Sequence, residues 1–372
     1  MGLPLASNSP FPRPSQLASG QEGRACKPSI GASACTRSQC RRSSHVCSVI
    51  ISCAAAMAER EPWWKPLSTP MKLGATYNVF DGEELLEASI KSIKKNVDYV
   101  VVVYQTISNF GFECDPGLVP LLTRLQADGL VNQLIAYVPR RFNAREKKEL
   151  VSARATGAEL GGARVDQVAD TFFNELSKRE IGRRACLREG CTHFMSMDTD
   201  EFYVEKELYR LKQLVSERGY EGILAKMRYF YKYPTCELLP HDDVNHVPVM
   251  YACRADMPFR LGSPYPYLID PTRRVDGCRL LHVCERKDLE MFHYSFVRSN
   301  IQSKLVNVSN RGNYRENLQE FVESFMSWRP SDPIRHPHPY FKELFQKTEI
   351  VPNWFHIDIG KDFRYSPFAR RF

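Results

Sequence analysis

The segment Tyr99 to Tyr104, Tyr-Val-Val-Val-Val-Tyr, constrains the fold more than any other stretch of the chain. A strand with one solvated face alternates apolar and polar side chains, whereas a strand covered on both faces reads as an unbroken apolar, β-branched run. Strands of the second kind belong to parallel sheets with helices above and below. The neighbouring sequence fits that reading. Leu73 to Val79 is another short apolar run, and Asp81 with Glu84 three residues later predicts a capped helix over Gly82 to Lys95. Asp115 and Pro116 open a second helix that Gly129 ends, and Val131 to Val138 is the next strand. A long helix is predicted over Asp166 to Glu189, with Val168, Phe172 and Leu176 on one face and Gly190 closing it. Thr192 to Met197 follows as a strand. The alternation predicts an α/β fold, a mixed and mostly parallel sheet flanked by helices.

Charge and cysteine divide the chain. Residues 1–58 hold six basic residues, one acid and five of the 12 cysteines. Residues 59–372 keep 45 basic against 42 acidic residues, so their net charge is +3 where the whole chain carries +8. A Ser-, Ala-, Arg- and Pro-rich segment buries too little apolar surface to offset its ordering entropy, so residues 1–58 are expected to be a disordered or targeting tail. Its acid-poor composition suits an address to a plastid, a mitochondrion or the secretory pathway. Translation starting at Met57 or Met71 instead implies a cytoplasmic protein. The longest apolar stretch, Val46 to Met57, is too short and too interrupted for a transmembrane anchor. No C-x-x-C pair is present, which argues against a zinc finger or a thioredoxin-like site, and the seven later cysteines suit a reducing compartment. A charge of +3 with no recognisable module gives no support to nucleic acid as a partner. Residues 70–310 are expected to form the catalytic unit, and residues 311–372 a helical C-terminal extension packed on it, with amphipathic helices over 314–328 and 340–347.

The chemistry is expected where the last of these strands ends, at Asp198-Thr199-Asp200. In α/β sheets ligands bind outside the carboxyl ends of the strands. Residues i and i+2 of an extended segment point the same way, so both carboxylates can reach one divalent cation, and hard oxygen donors suit Mg²⁺ or Mn²⁺. A lone D-x-D is more often a solvated loop or a helix cap. Here it follows a helix, a glycine and an apolar strand.

Two segments carry a resemblance to a known family. Lys178 to Arg184 (KREIGRR), Gly190 and His193 to Tyr203 (HFMSMDTDEFY) resemble the helix and D-x-D strand of GT-A-type glycosyltransferases, particularly those similar to family 2. Ala75 to Leu86 (ATYNVFDGEELL) is similar to that family's first strand and donor loop. The resemblance covers about residues 72–305. It implies a nucleotide-diphosphate-sugar donor, a Mn²⁺ or Mg²⁺ cofactor, and a glycan, lipid or protein acceptor that the sequence does not identify. Asp200 would be the direct metal ligand, Asp198 would lie near the metal or the ribose, and Glu201 would support both. Tyr77, Asn78 and the stretch Gln105 to Asn109 would face the base and ribose, although this chain lacks the acids that many relatives carry after the second strand. His293 is offered as a third ligand and Arg298 and Lys304 as cations for the leaving diphosphate. A core histidine and a solvated helix face are the structural alternatives. Arg179 and Arg183, one turn apart, fit either a phosphate or the carboxyl end of their helix. For the residue that activates the acceptor, Glu237, Asp242, Asp243 and Asp256 are the candidates. The aromatic run Tyr229 to Tyr233 suits a sugar platform or the core.

Gly157 with Gly161-Gly162 lacks the context of a dinucleotide fingerprint, His336-Pro337-His338-Pro339 reads as a rigid loop, and Asn307-Val308-Ser309 is a sequon only in a secretory lumen. A nucleotidyltransferase and a non-catalytic carbohydrate-binding or scaffolding descendant of the fold are the competing functions. The first is disfavoured by the acidic stretch Asn78 to Glu84, where a basic, glycine-rich phosphate loop is needed.

Overall fold

The computed structural model describes residues 70–157, 159–308 and 317–359; the expected tail at 1–58 and the sequon's Ser309 lie outside them. In chain order the elements that matter are Leu73–Val79 (β1), Glu83–Ile93 (α1), Tyr99–Tyr104 (β2), Leu118–Ala127 (α2), Gln133–Ala136 (β3), Ala144–Glu149 (α3), Asp170–Arg188 (α4), His193–Asp198 (β4) and Glu201–Phe202 (β5). There follow Glu205–Arg218 (α5), Gly222–Tyr231 (β6), Cys236–Leu239 (β7), Val247–Ala252 (β8), Leu281–Val283 (β9), Glu290–Phe296 (β10), Ile301–Asn307 (α6), Leu318–Ser327 (α7), Pro339–Leu344 (α8) and Lys347–Ile350 (β11).

β3, β2, β1 and β4 lie side by side and parallel, with β1 central. The valine run of β2 is covered on both faces as its composition requires. Val100 and Val102 pack with Leu86 and Ile90 of α1, while Val101 packs with Phe173 and Leu176 of α4. Beyond β4 the sheet becomes mixed: β8 is antiparallel to β4, β6 to β8, and β7 to β6, whereas β9 and β10 run parallel to β6. The mostly parallel character therefore holds for one half of the sheet.

Helix α4 lies unusually close to β1 because Gly182 faces Thr76; a Cβ on Gly182 would meet Thr76 Oγ1 at 1.7 Å. Cys191 N–H closes the helix on the Cys186 carbonyl at 3.0 Å, with Gly190 left-handed at φ 75°.

Two local expectations change. Helix α1 starts at Gly82, left-handed at φ 84°, without any side-chain cap. Asp81 and Glu84 turn outward to the segment after β10, where Asp81 pairs with Arg298 and Glu84 accepts from Ser299 N–H and Oγ. A long-range cation outcompetes the local cap. The C-terminal segment is not wholly helical either: α7 and α8 are shorter than expected, and Lys347–Ile350 is a strand antiparallel to β7. It shares the main core through Phe321, Phe325, Trp328 and Phe345. Among the described residues, no helix is long and apolar enough to cross a membrane.

Candidate functional site

β1, β2 and β4 end at one edge of the sheet. Asp198 closes β4 opposite Asn78 of β1, and Asn78 in turn lies opposite Val103 of β2. After Asp198 the chain turns through Thr199 and Asp200 into β5, whose Glu201 pairs with His293 of β10. That pairing brings the His293 Nε2 atom to 3.7 Å from Asp200 Oδ1. Thr199 Oγ1 donates to the Asp81 carbonyl at 3.4 Å, and a Cβ on Gly82 would come within 2.2 Å of it. The turn after β1 and the acid turn touch only because residue 82 has no side chain.

Because Asp198 and Asp200 flank a turn rather than sit along one extended strand, they face different partners. Asp198 Oδ1 and Oδ2 accept from Arg179 Nη2 at 3.1 and 3.3 Å, and Oδ2 also accepts from Arg273 Nη2 at 2.6 Å. Arg273 continues to Glu201 through both terminal nitrogens, and Glu201 Oε2 accepts the Asp198 N–H at 3.2 Å. Asp200 Oδ2 accepts from Arg298 Nη2 at 2.9 Å and Lys304 Nζ at 3.1 Å, and Arg298 Nη1 reaches Asp81 at 3.1 Å. Four acids (Asp81, Asp198, Asp200, Glu201) thus face four cations (Arg179, Arg273, Arg298, Lys304).

Burial sets the charge states. It opposes ionisation of Asp200, but Lys304, His293 and Arg298 more than offset it and hold the carboxyl well below the usual range. For Asp198 burial is outweighed by Arg179 and Arg273, again lowering the pKa. Glu201 goes the other way: burial dominates, Arg273 opposes it only in part, and the carboxyl is pushed up to about 7. His293 is pulled down to about 4 by burial, against the attraction of Asp200, so its imidazole is neutral at pH 7.

A neutral imidazole and an ionised carboxylate are the donor types a divalent ion requires. Two ligands bonded at ~2.1 Å lie at most ~4.2 Å apart, and the 3.7 Å between Asp200 Oδ1 and His293 Nε2 falls within that limit. Among the described residues, no three His, Cys, Asp or Glu side chains are grouped to hold a metal ion. Asp200 and His293 alone offer one carboxylate and one imidazole, so an ion held by them would have to complete its shell from water and substrate oxygens.

Beside Asp198, under α4, several buried polar atoms have no partner: Thr76 Oγ1, both amide atoms of Asn78, Gln105 Oε1, Asn109 Oδ1 and Arg179 Nε. Asn78 is only 9% exposed. The amide nitrogens of Gln105 and Asn109 are committed to the Ile107 carbonyl at 2.9 Å and to Glu175 at 3.0 Å, so their oxygens are the atoms left over. Lys178 holds the same Glu175 at 3.0 Å. Buried polar groups are nearly always paired, and Asn78 and Gln105 leave amide atoms unpaired at the carboxyl ends of β1 and β2.

Other expected site residues are elsewhere. Tyr77 points into the core and bonds Ser89 Oγ at 3.1 Å, so it backs the acid turn rather than facing a base; Ser89 donates to the Glu201 carbonyl at 2.6 Å. Arg183 is directed away from Arg179, held by Glu180 at 2.8 Å and by the Arg254 carbonyl at 2.6 Å, which keeps it out of the acid–cation cluster around Asp198 and Asp200. Glu237 is clamped by Arg228 through two hydrogen bonds, on the face of β6 opposite Tyr229 and His293. Asp242 is fully buried and accepts from Tyr340, the Val244 and Asn245 N–H groups and the Asn245 amide, the work of a loop clasp rather than a base. Asp256 lies in an exposed ion pair with Arg254, and Asp243 in another with Lys226 and Arg286. Tyr229, Phe230 and Tyr231 are core residues. His336 is buried against Phe296 and Phe341, as a packed loop requires.

Arg273 escaped the sequence reading. Its only local sign is Asp270-Pro271-Thr272-Arg273, a capped single turn in which Asp270 accepts the Thr272 N–H at 2.7 Å. Asp81, read as a helix cap, is the other omission.

No family model and no curated protein sequence matches the chain. Among solved structures, S. aureus TarS is 12% identical with a TM-score of 0.34, over 69% of this chain and 44% of that one. The mannosyltransferase PcManGT from Pyrobaculum calidifontis, solved with GDP-Man and Mn²⁺, is 11% identical with a TM-score of 0.25, over 52% and 46% of the two chains. Glucosyl-3-phosphoglycerate synthase from Mycobacterium tuberculosis, solved with Mn²⁺, UDP and phosphoglyceric acid, is 14% identical with a TM-score of 0.23, over 46% and 49%. The chain spans less than half the length of each of these three proteins.

Proposed function

We propose that the protein is a glycosyltransferase of GT-A type, moving a sugar from a nucleotide-diphosphate donor to an acceptor. The observation that carries this reading is Asp200, buried at the carboxyl edge of parallel strands, with Oδ2 held by Arg298 and Lys304 and Oδ1 facing neutral His293. The orphaned amides of Asn78, Gln105 and Asn109 supply the polar contacts for base and ribose on the other side of Asp198.

In this reading Asp200 and His293 hold Mn²⁺ or Mg²⁺, which when bound stabilises negative charge on the departing diphosphate. Arg298 uses three nitrogens on Ser295, Asp81 and Asp200, and Lys304 one proton on Asp200, so each keeps N–H donors for phosphate oxygens. Donors fixed by burial cost no reorganisation when that charge develops. Thr199 and Gly82 keep the donor loop against the acid turn, excluding water from its rear.

Calorimetric titration with UDP, GDP and ADP, in Mn²⁺ and in EDTA, tests the assignment. One nucleotide should bind in Mn²⁺, at least tenfold more weakly in EDTA, and the difference should vanish in Asp200→Asn. A wild-type protein that binds none of them, or an Asp200→Asn variant that keeps the metal effect, overturns it. Metal-independent binding of free oligosaccharide instead would favour the non-catalytic carbohydrate-binding alternative.

A further inference from the structure

We infer that Cys186 and Cys191 are an oxidisable thiol pair, which hydrogen peroxide converts into a disulfide fastening the carboxyl end of α4 to the segment that enters β4. The inference stands on its own geometry and does not depend on the transferase reading.

Helix α4 ends in a turn built on left-handed Gly190, whose N–H donates to the Leu187 carbonyl at 3.1 Å while Cys191 N–H donates to the Cys186 carbonyl at 3.0 Å. This pattern sets the side chains of the two outer residues against each other, and here both are cysteines with free thiols. The main-chain hydrogen bond already holds their backbones at the close approach a disulfide spans. A Cβ on Gly74 of β1 would lie 2.6 Å from Cys186 Sγ and 3.0 Å from Cys191 Sγ, so the two sulfurs flank one point of the seam between α4 and β1. The Cys186 thiol donates to the Cys191 sulfur, which raises the pKa of Cys186 and lowers that of Cys191; Lys72 adds to the lowering against the effect of burial. Cys191 is therefore the readier nucleophile. Cys186 is 0% and Cys191 3% exposed, which suits an oxidant barely larger than water. The third thiol of this cluster, Cys253, instead donates to the Arg183 carbonyl at 3.7 Å.

The chemistry balances with one peroxide. The Cys191 thiolate attacks one peroxide oxygen, the O–O bond breaks, and a sulfenic acid and hydroxide result. Cys186 sulfur then attacks Cys191 sulfur, the S–S bond forms, the S–O bond breaks, and hydroxide leaves with the Cys186 proton as water. The first hydroxide takes the proton that Cys191 gave up. Two thiols and one peroxide thus become one disulfide and two waters, the sulfurs losing the two electrons that the peroxide gains.

In the test, the full chain is treated with hydrogen peroxide, its remaining thiols are capped with iodoacetamide, and it is digested with trypsin without reduction. Trypsin cuts after Arg184, Arg188 and Lys206, so the disulfide keeps peptides 185–188 and 189–206 joined until dithiothreitol separates them. Cys191→Ala should abolish the linkage and leave Cys186 a free thiol, Cys186→Ala should trap Cys191 as a sulfenic acid that dimedone labels, and Cys253→Ala should form the linkage as wild type does. Oxidised wild type should show a higher urea midpoint than the reduced protein, because the cross-link restricts the unfolded chain, and the increase should vanish in Cys191→Ala. Should an alanine variant not fold, the peptide map of wild type decides by itself. Peptides 185–188 and 189–206 recovered apart with capped thiols, either cysteine joined to Cys253 or another cysteine, or a sulfinic acid on Cys191 without the linkage overturns the inference. So does an oxidised midpoint no higher than the reduced one.

Discussion

Gly182→Ala probes how the packing of α4 supports the site. The new Cβ would lie 1.7 Å from Thr76 Oγ1, 2.7 Å from its Cβ and 3.3 Å from its Cγ2. Rotating Thr76 moves the hydroxyl and the methyl but not its Cβ, so α4 and β1 must separate by several tenths of an ångström. In an exposed helix the same change would stabilise by about 1 kcal/mol. Overpacking costs about 1–3 kcal/mol, and because the contact includes the immobile Thr76 Cβ the upper end applies, so the expected net effect is a loss of about 2 kcal/mol, read as a lower urea midpoint at unchanged slope. The displacement also reaches function. Arg179 lies one turn before Gly182, and its contacts to Ser196 at 3.0 Å and to Asp198 at 3.1 and 3.3 Å lengthen as the helix retreats. Nucleotide affinity should fall with stability, and adding Thr76→Ala should recover part of both. A Gly182→Ala variant as stable as wild type would show that the close approach is not what seats α4.

Arg298→Met leaves Asp81 unpaired and Asp200 with one cation, so it should cost about 3–5 kcal/mol in urea unfolding and abolish metal-dependent nucleotide binding; a stable variant that still binds contradicts this. Asp256→Ala removes an exposed pair and should change stability by less than about 1 kcal/mol with nucleotide binding unaffected; a tenfold loss would restore Asp256 to the site. Stability should also depend on pH. His193, His293 and His336 have folded pKa values lowered by burial to about 4, 4 and 3, so the unfolded chain binds protons first and their contribution, complete above about 6.5, is lost as pH falls. Glu83 and Glu201, raised to about 7 mainly by burial, act in the opposite sense, their contribution being present below about 4.5 and lost as pH rises through 7. The net is about one extra proton on the unfolded chain, so these five groups together should reduce stability by about 1.4 kcal/mol between pH 6 and pH 5, and urea unfolding that shows a gain over that interval contradicts the assignment.

What the sequence revealed was governed by local physics. The valine run of β2 declared a strand covered on both faces, and the order of helix, Gly190, strand and acids placed Asp198 and Asp200 at a strand end. Asp200, His293, Arg298 and Lys304 were named from the resemblance, and the fold brings all four together. The failures share one cause, competition from distant partners. Asp81 and Glu84 looked like a helix cap, but Arg298 and Ser299, over two hundred residues away, claim them. Arg179 and Arg183 have the same spacing logic, yet Glu180 captures one and Asp198 the other. Glu237, Asp242 and Asp256 have only their place in the chain to suggest a role, and each is tied to a partner that only the folded sheet and its loops supply. Arg273 was invisible because a single arginine after Asp-Pro-Thr has no signature until the fold carries it beneath Asp198.

The most direct measurement of the central claim is release of the nucleotide diphosphate from a panel of UDP- and GDP-sugars, with Mn²⁺ and with EDTA, for wild type and Asp200→Asn. The account predicts that wild type releases diphosphate from at least one donor in Mn²⁺, that EDTA lowers the rate at least tenfold, and that Asp200→Asn lowers it at least a hundredfold, the range set by losing one preorganised charge contact. Release that is equal in the two proteins, or equal with and without metal, would contradict it.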